Sequence, residues 1–285
     1  MTDISNVRYG QIDHDYATHL ARTAPSDDGP VWMINLMKYR PVADYADGRE
    51  STISGRDADD LYAPFGPLAA VGAQIVLVAD VDAQLLGATP RWDRVAIVKY
   101  PTRRAFVEMQ ALPEFVALHA HKDAGMEQTI IVAGLPFAVP EVLPGSPDWS
   151  DVRHPSTADD GDVLVLHLLR FHEDKVATSM VSYQDAAAKV AVPYGLRLSG
   201  WFAVEGTIVG DGRTWDQARF NAFPSKAAFM AVVLDPDRLA AQRDHREVAI
   251  ADTYTLILRP VVNTLATSVA ASPAAAIQQP TGASR

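Results

Sequence analysis

The feature that most constrains this chain is an internal repeat. NLMKY at 35–39 resembles HLLRF at 167–171, and YPTRRAF at 100–106 resembles FPSKAAF at 223–229. Turn-forming and tryptophan residues also recur 123 residues apart, as in Gly72 and Gly195, Trp92 and Trp215, and Pro113 and Pro236. The sequence separation between these matched Gly, Pro and Trp residues is nearly constant, which predicts that one structural unit occurs twice.

Each copy alternates between two kinds of apolar periodicity. Short β-branched and apolar runs are typical of strands, and apolar positions at helical spacing are typical of amphipathic helices. The predicted strands are 30–39, 73–83, 93–100 and 128–135 in the first copy, and 162–171, 196–207, 215–223 and 251–260 in the second. The predicted helices are 57–71, 102–124, 177–191 and 225–247. Both copies therefore have the order βαββαβ, and Thr102 is a predicted N-cap.

The composition changes at the ends of both copies. Residues 1–136 hold a short predicted helix at 13–24 and the first unit, and residues 162–262 hold the second unit. Residues 137–161 contain prolines together with Gly, Ser and Asp, which is typical of an extended linker. Residues 263–285 are rich in Ala, Ser, Pro and Thr and lack a core-forming pattern, so we expect a disordered tail.

Composition excludes several classes of partner and site. Apolar residues make up 48% of the 285 residues and charged residues 21%, so we expect a soluble globular protein without a membrane partner. The formal charge of −10 argues against nucleic acid, which is bound by clustered Lys and Arg. The chain has no cysteine, which excludes disulfides and Cys-based metal sites. Acidic and polar residues at the N-terminus do not form a secretory signal, so we expect a cytoplasmic location.

The βαββαβ unit also carries a resemblance. An apolar first strand, an aromatic-Pro-Ser/Thr opening to the last helix at 100–102 and 223–225, and a closing strand resemble the dimeric α+β barrel superfamily, most of all its small bacterial domains of uncharacterised function. The resemblance spans 28–136 and 160–262. It implies an α+β fold of two tandem ferredoxin-like units whose four-stranded sheets pack face to face. Whether the barrel closes within one chain or in a homodimer stays open.

Strand alternation separates the two faces of each sheet. In the middle of the first predicted strand of each copy, the even-numbered residues are uniformly apolar and are expected to face the helices. They are Ile34, Leu36, Leu164, Leu166 and Leu168. The odd-numbered residues of the same strands are expected on the open face of the sheet. They are Met33, Asn35, Met37, Val165, His167 and Leu169. At matching open-face positions the first copy has Val76, Val78, Ala96, Val98 and Ile131, whereas the second has Ser199, Trp201, Arg219, Asn221 and Thr255. Buried polar groups are costly unless satisfied or used, so the second copy is the predicted place of the site.

Three of these polar residues are the predicted catalytic groups. His167 is the candidate general acid and base, because imidazole titrates near neutral pH. Arg219 and Asn221 are the candidates for stabilising an anionic intermediate. The alternative is a structural hydrogen-bonded network, in which Arg219 would pair with Glu205 or Asp80.

Further candidates lie on helices and near strand ends. His121 and His245 occupy related places near the ends of the long helices and are followed by Lys122 and Arg246. The helix dipole favours cations there, which is a sufficient explanation by itself. Predicted substrate-binding residues are Asn35, Tyr39, Tyr62, Tyr183, Trp201 and His245. The aromatic members of this set suit a flat apolar ligand, although aromatic residues also pack cores.

Absent motifs narrow the chemistry. No GxGxxG, GxxxxGK[ST], GxSxG or HExxH pattern is present, so the sequence predicts neither a nucleotide cofactor nor a metal. The superfamily contains cofactor-free monooxygenases, isomerases, dehydratases and haem enzymes, so fold does not fix function. The leading hypothesis is a cofactor-independent lyase or isomerase that transfers a proton on a small, partly aromatic substrate. Alternatives are a quinone-forming cofactor-free monooxygenase, a haem enzyme, and a non-catalytic protein that binds a small ligand.

Overall fold

The computed structural model describes residues 7–87, 89–172, 181–272 and 277. Its strands are β1 (Gln11–Ile12), β2 (Val31–Tyr39), β3 (Gln74–Leu86), β4 (Arg94–Tyr100), β5 (Met126–Pro136), β6 (Val163–Phe171), β7 (Arg197–Gly210), β8 (Gln217–Phe223) and β9 (Ile250–Asn263). The strands predicted from apolar runs are therefore confirmed, with bounds that differ by a few residues.

Eight antiparallel strands close into one barrel within the chain. The order is β7-β5-β2-β4-β3-β9-β6-β8, β8 pairs again with β7, and β1 extends β7 at one edge. Strands β3 and β9 join the two halves on one side, and β5 and β7 join them on the other. The expected barrel is present, but strand pairing at both seams closes it within one chain and leaves no free sheet edge, so the two sheets are joined rather than merely packed face to face.

The interior of the barrel is filled by apolar side chains from both halves. Its fully buried members include Trp32, Ile34, Leu36, Leu164, Leu166, Leu168, Phe202 and Phe220. Ile34 and the leucines were predicted to meet the helices, and this face assignment is wrong. A closed barrel of eight strands has room only for tightly packed side chains, so the uniformly apolar parity turns inward.

The helices cover the outer face of the barrel, except for the last one, which lies at one end of it. They are α1 (His14–Arg22), α2 (Gly55–Tyr62), α3 (Phe65–Ala70), α4 (Arg103–Gln110), α5 (Pro113–Gly125), α6 (Val181–Ala191), α7 (Lys226–Val233), α8 (Pro236–Ala241), α9 (Glu247–Ala249) and α10 (Leu265–Ala270). A π-helical turn, Gln242–Arg246, joins α8 to α9. The Thr102 hydroxyl accepts a hydrogen bond from the Ala105 N–H, so the predicted N-cap is confirmed.

The segment after β9 differs from its prediction. Residues 265–270 were expected in a disordered tail, but they form α10, whose Leu265 is fully buried in the barrel core. The Trp32 indole N–H donates to the Ser268 hydroxyl at 3.0 Å. A single short helix is enough to close one end of the barrel, and its composition of small residues hides this role from sequence patterns.

Two ion pairs at related positions cross between the halves. Arg103 begins α4 and pairs with Glu205 of β7, where its Nε lies 2.8 Å from Oε2. Lys226 begins α7 and pairs with Asp82 of β3 at 2.8 Å. The Arg103 side chain is 8% exposed and that of Lys226 38%, so only the first pair is well shielded from water.

Candidate functional site

A cavity of about 520 Å³ lies between the outer face of the first half of the sheet and the helices above it. Met33, Val98 and Ile131 project from the strands to form its floor, and Leu68, Met109 and Phe115 project from the helices to form its roof. This volume lies within the range of small-molecule sites, which are mostly apolar with a few polar groups. The cavity therefore suits a compact, largely apolar molecule.

Lys122 stands at the polar end of this cavity. It lies in the last turn of α5 and is only 7% exposed. Its Nζ lies 5.2 Å from the centre of the Tyr62 ring and 5.8 Å from that of Tyr9. No hydrogen bond from this Nζ to any residue in the described part of the chain is found. A buried amine held by aromatic faces is available to a ligand in the cavity.

A second polar group at this end is His119. Its Nε2 lies 2.9 Å from the Tyr9 hydroxyl oxygen, and its ring packs against Phe115 and Tyr62. Burial lowers the pKa of His119 to about 4, and the nearby Lys122 charge acts in the same direction. The imidazole is therefore neutral near pH 7.

A third polar group at this end of the cavity is Asp59 of α2. The Tyr39 hydroxyl donates to Asp59 Oδ2 at 2.7 Å, and Arg94 Nη1 lies 3.5 Å from the same oxygen. Burial raises the pKa of Asp59, while Tyr39, Lys122 and Arg94 oppose that rise. Tyr39 is thus fixed as a donor to this carboxylate at the cavity edge.

Burial also shifts the pKa of the cavity's amine and phenol. It lowers the pKa of Lys122, an effect that the Asp59 carboxylate partly opposes. It raises the pKa of Tyr62 well above the ordinary value. Desolvation disfavours the charged form in both cases. A lysine with a lowered pKa is a candidate for acid and base catalysis.

Three predicted substrate-binding residues lie at this site. Asn35 and Tyr62 line the cavity, and Tyr39 contacts its lining residue Asp59. Asn35 is 9% exposed and donates from Nδ2 to the Met33 carbonyl oxygen at 3.0 Å. Their prediction as ligand contacts is untested, but the structure brings them to one place.

The predicted catalytic residues lie elsewhere, on the outer face of the second half. His167 stands opposite Arg219 across β6 and β8, and Asn221 lies two residues further along β8. The guanidinium of Arg219 stacks on the Trp201 ring, 3.8 Å from its centre. The expectation that this face is open is corrected, because the helices of the second half cover it.

The remaining predicted residues of the second half differ in their contacts. Tyr183 of α6 packs against the buried cluster of Leu169, Phe171 and Ala249. His245 lies half-buried in the π-helical turn, and we find no hydrogen bond to it within the described ranges. Tyr183 therefore belongs to the same face as His167, whereas nothing ties His245 to it.

Sequence reasoning missed most of the cavity's polar groups. The position of Lys122 near a helix end was explained by the helix dipole, although its equivalence to Arg246 in the other copy was visible. Both side chains are in fact buried, at 7% and 5% exposure. A cation repeated at the same helix position in both copies was the available signal. No such signal pointed to Tyr9 or Asp59, because both residues lie outside the repeated motifs.

Two imidazoles line the cavity, the exposed His14 and the half-buried His119, and the haem alternative is considered at the second. His119 does not fit a haem ligand, because its Nε2 already bonds the Tyr9 hydroxyl and its ring is packed between Phe115 and Tyr62. Among the described residues, no group of three or more His, Cys, Asp or Glu is arranged to hold a metal ion. None of the described helices is long and apolar enough to cross a membrane.

Comparisons with known proteins give only distant likenesses. No family model and no curated protein sequence matches the chain. A solved protein of unknown function from Rhodopseudomonas palustris is 25% identical over 44% of this chain and 94% of its own, with a TM-score of 0.38. Chlorite dismutase from Candidatus Nitrospira defluvii is 11% identical over 86% and 95%, with a TM-score of 0.47.

A candidate monooxygenase from Fusobacterium nucleatum is 9% identical over 83% of this chain and 95% of its own, with a TM-score of 0.46. TM-scores below 0.5 do not establish a shared fold. The α+β barrel architecture therefore rests on the strand pairing described above.

Proposed function

We propose that this chain is a cofactor-independent enzyme that transfers a proton on a small, partly aromatic molecule, as a lyase or isomerase. The observation that carries the proposal is Lys122, a buried amine with a lowered pKa at the end of an apolar cavity. A general base works best when its pKa lies near the working pH. Burial of this lysine moves its pKa in that direction.

The other residues of the cavity would bind and orient the substrate. The apolar floor and roof suit an aromatic ring, which prefers offset or edge contacts with Phe115 and Tyr62. Asn35 and the Tyr9 hydroxyl could hydrogen bond a carbonyl or hydroxyl group of the ligand. Lys122 would accept a proton as the neutral amine and then stabilise the resulting anion as the ammonium ion.

The catalytic roles of His167, Arg219 and Asn221 stay a separate proposal. Their adjacency on β6 and β8 supports a shared role. Burial lowers the pKa of His167 well below its ordinary value, and the charges of Arg246 and Arg219 act in the same direction. Because burial and the neighbouring guanidinium charges disfavour the imidazolium ion, we place proton transfer at Lys122 and keep the acid and base role of His167 as the alternative.

The experiment is solvent exchange of carbon-bound hydrogen. Aryl ketones and cyclic enones are incubated with the protein in D₂O, and deuterium incorporation is followed by NMR. Lys122→Met should lower a protein-dependent exchange rate by roughly 10² to 10⁴. Lys189→Met removes an exposed lysine from α6 and should leave the rate unchanged. Equal rates in Lys122→Met and the unchanged protein would contradict the proposal.

A cavity-filling variant separates the cavity from other surfaces. Ala96 of β4 lines the cavity floor, so Ala96→Phe should block ligand entry and abolish exchange. Oxygen uptake during turnover would favour the cofactor-free monooxygenase. Saturable binding without any turnover would favour the non-catalytic protein that binds a small ligand.

We also infer that the two halves arose by duplication of one ferredoxin-like unit. The support is register: Asn35 lies between Ala96 and Ile131, and His167 lies between Arg219 and Thr255, as the sequence offsets require. A homodimer and a cytoplasmic location stay predictions. Because the barrel closes within one chain, a second chain is not needed to cover the sheet.

A further inference from the structure

The second half holds a cluster of cations between the barrel and its helices. Arg219 projects from β8, and Arg246 projects from the π-helical turn with only 5% of its surface exposed. Both charges act on His167, as does that of Arg238 on α8. Three guanidinium groups and one imidazole therefore share a single region on the outer face of the barrel.

The polar atoms of this cluster are poorly satisfied. Arg219 Nε and Nη2 and Asn221 Oδ1 are buried, and we find no hydrogen-bond partner for them in the described part of the chain. Arg246 donates to the Thr253 hydroxyl at a long 3.5 Å. A buried donor without an acceptor destabilises the folded protein, and more so when the donor is charged. Such donors normally have a partner.

Carboxylates of the described residues do not supply that partner. Among the described residues, Glu247 is a carboxylate that acts on Arg246, and it does so from an exposed position. Arg219 is held instead by the Trp201 ring, whose face attracts cations but accepts no strong hydrogen bond. The ion pairs predicted with Glu205 and Asp80 do not form, since those carboxylates bind Arg103 and Arg94.

We propose that Arg219, Arg246 and His167 form a binding site for an oxyanion, a carboxylate or phosphoryl group of a small molecule. The planar guanidinium fork matches the two oxygens of such a group, and an ammonium ion would not. Stacking on Trp201 fixes the Arg219 fork before the ligand arrives. This site goes beyond the proposed function, because it lies in the other half of the barrel and does not require the cavity.

The experiment is calorimetric titration of the full chain with sodium benzoate and with sodium phosphate, against sodium chloride at equal ionic strength. Benzoate binding alone identifies a carboxylate site, and phosphate binding alone identifies a phosphoryl site. Arg219→Lys keeps the charge but removes the fork, so the dissociation constant should rise about tenfold or more. Arg246→Met should weaken binding at least as much.

Two controls locate the binding. Arg243→Met removes an exposed cation from the same π-helical turn and should leave the dissociation constant unchanged. Lys122→Met should also leave it unchanged, even where it abolishes proton exchange in the cavity. The proposal is overturned if neither oxyanion binds more tightly than chloride. It is equally overturned if binding is lost in Lys122→Met but kept in Arg219→Lys, a result that would place the anion in the cavity.

Discussion

The two halves of the barrel have the same strand register but opposite chemistry on their outer faces. Where the first half has Asn35 and Ala96, the second has His167 and Arg219. The small Ala96 helps to leave space for a cavity of about 520 Å³, whereas the related position in the second half holds Arg219, stacked on the Trp201 ring. One backbone frame thus yields an apolar ligand cavity in one half and a cationic cluster in the other.

The features that both halves share hold the backbone in place and do not take part in either candidate site. Asp93 accepts a hydrogen bond from the Tyr39 N–H at 2.8 Å, and Asp216 accepts one from the Phe171 N–H at 2.7 Å. The Asp93 N–H also donates to the Met37 carbonyl oxygen of β2, and the Asp216 N–H donates to the Leu169 carbonyl oxygen of β6. These backbone-directed contacts of Asp93 and Asp216 are therefore the same in both halves, whereas the side chains at Asn35 and His167 and at Ala96 and Arg219 differ.

The largest expected effect comes from exchanging the two related cations. Lys122→Arg keeps a positive charge in the cavity, but a guanidinium does not lose its proton in proteins. We expect proton exchange on a substrate to fall by roughly 10² to 10⁴, measured by deuterium incorporation. The reciprocal Arg246→Lys should weaken oxyanion binding about tenfold. Full activity in Lys122→Arg would mean that the lysine acts only as a charge.

The next effect concerns the two ion pairs that cross between the halves. Arg103→Met leaves Glu205 without its main partner in a shielded position and should cost about 3–5 kcal/mol. Lys226→Met breaks the related pair with Asp82, which is open to water, and should cost at most about 1 kcal/mol. Urea unfolding measures both. Equal costs would show that the two seams are equally exposed in solution.

A smaller effect is expected from acid. The pKa of His119 is lowered from 6.5 to about 4, so the unfolded chain binds more protons between these values. Stability should therefore fall as pH drops from 6.5 to 4, by up to about 3 kcal/mol from this residue. The pKa of His167 is lowered too, and its contribution has the same sign.

The measurement is the free energy of unfolding at several pH values in this window. His119→Gln should flatten the dependence relative to the unchanged protein, since Gln does not titrate. His167→Asn, which installs the residue of the first half, should flatten it independently. If neither variant changes the slope, both histidines are solvated in the folded protein.

The smallest effects concern two related N-caps. Thr102→Ala removes one hydrogen bond to the Ala105 N–H and should cost about 1 kcal/mol. Ser225 caps the Ala228 N–H and also donates to the His154 carbonyl oxygen at 2.7 Å. Ser225→Ala should therefore cost about 2 kcal/mol. Thermal unfolding compares them, and a larger loss in Thr102→Ala would reverse this order.

Parts of the fold were readable from local patterns. The N-cap at Thr102 and the apolar runs of β2 and β6 depend on residues adjacent in the chain, and each was placed correctly from sequence. Helix α10 was missed, because it packs against β7 and β3, which lie far away in the chain. Lys122 was recognised as a helix-end cation, but its burial depends on α2 and the segment around Tyr9 folding over it.

The sequence by itself determined the order of elements in each half, because strand and helix periodicities are local and the repeat shows them twice. Only the tertiary structure decided which face of each strand is inside. Pairing of β3 with β9 and of β5 with β7 closes the barrel, and closure directs Ile34 and Leu166 inward, with Asn35 and His167 outward beneath the helices. Long-range pairing, which no local pattern encodes, therefore set the positions of both sites.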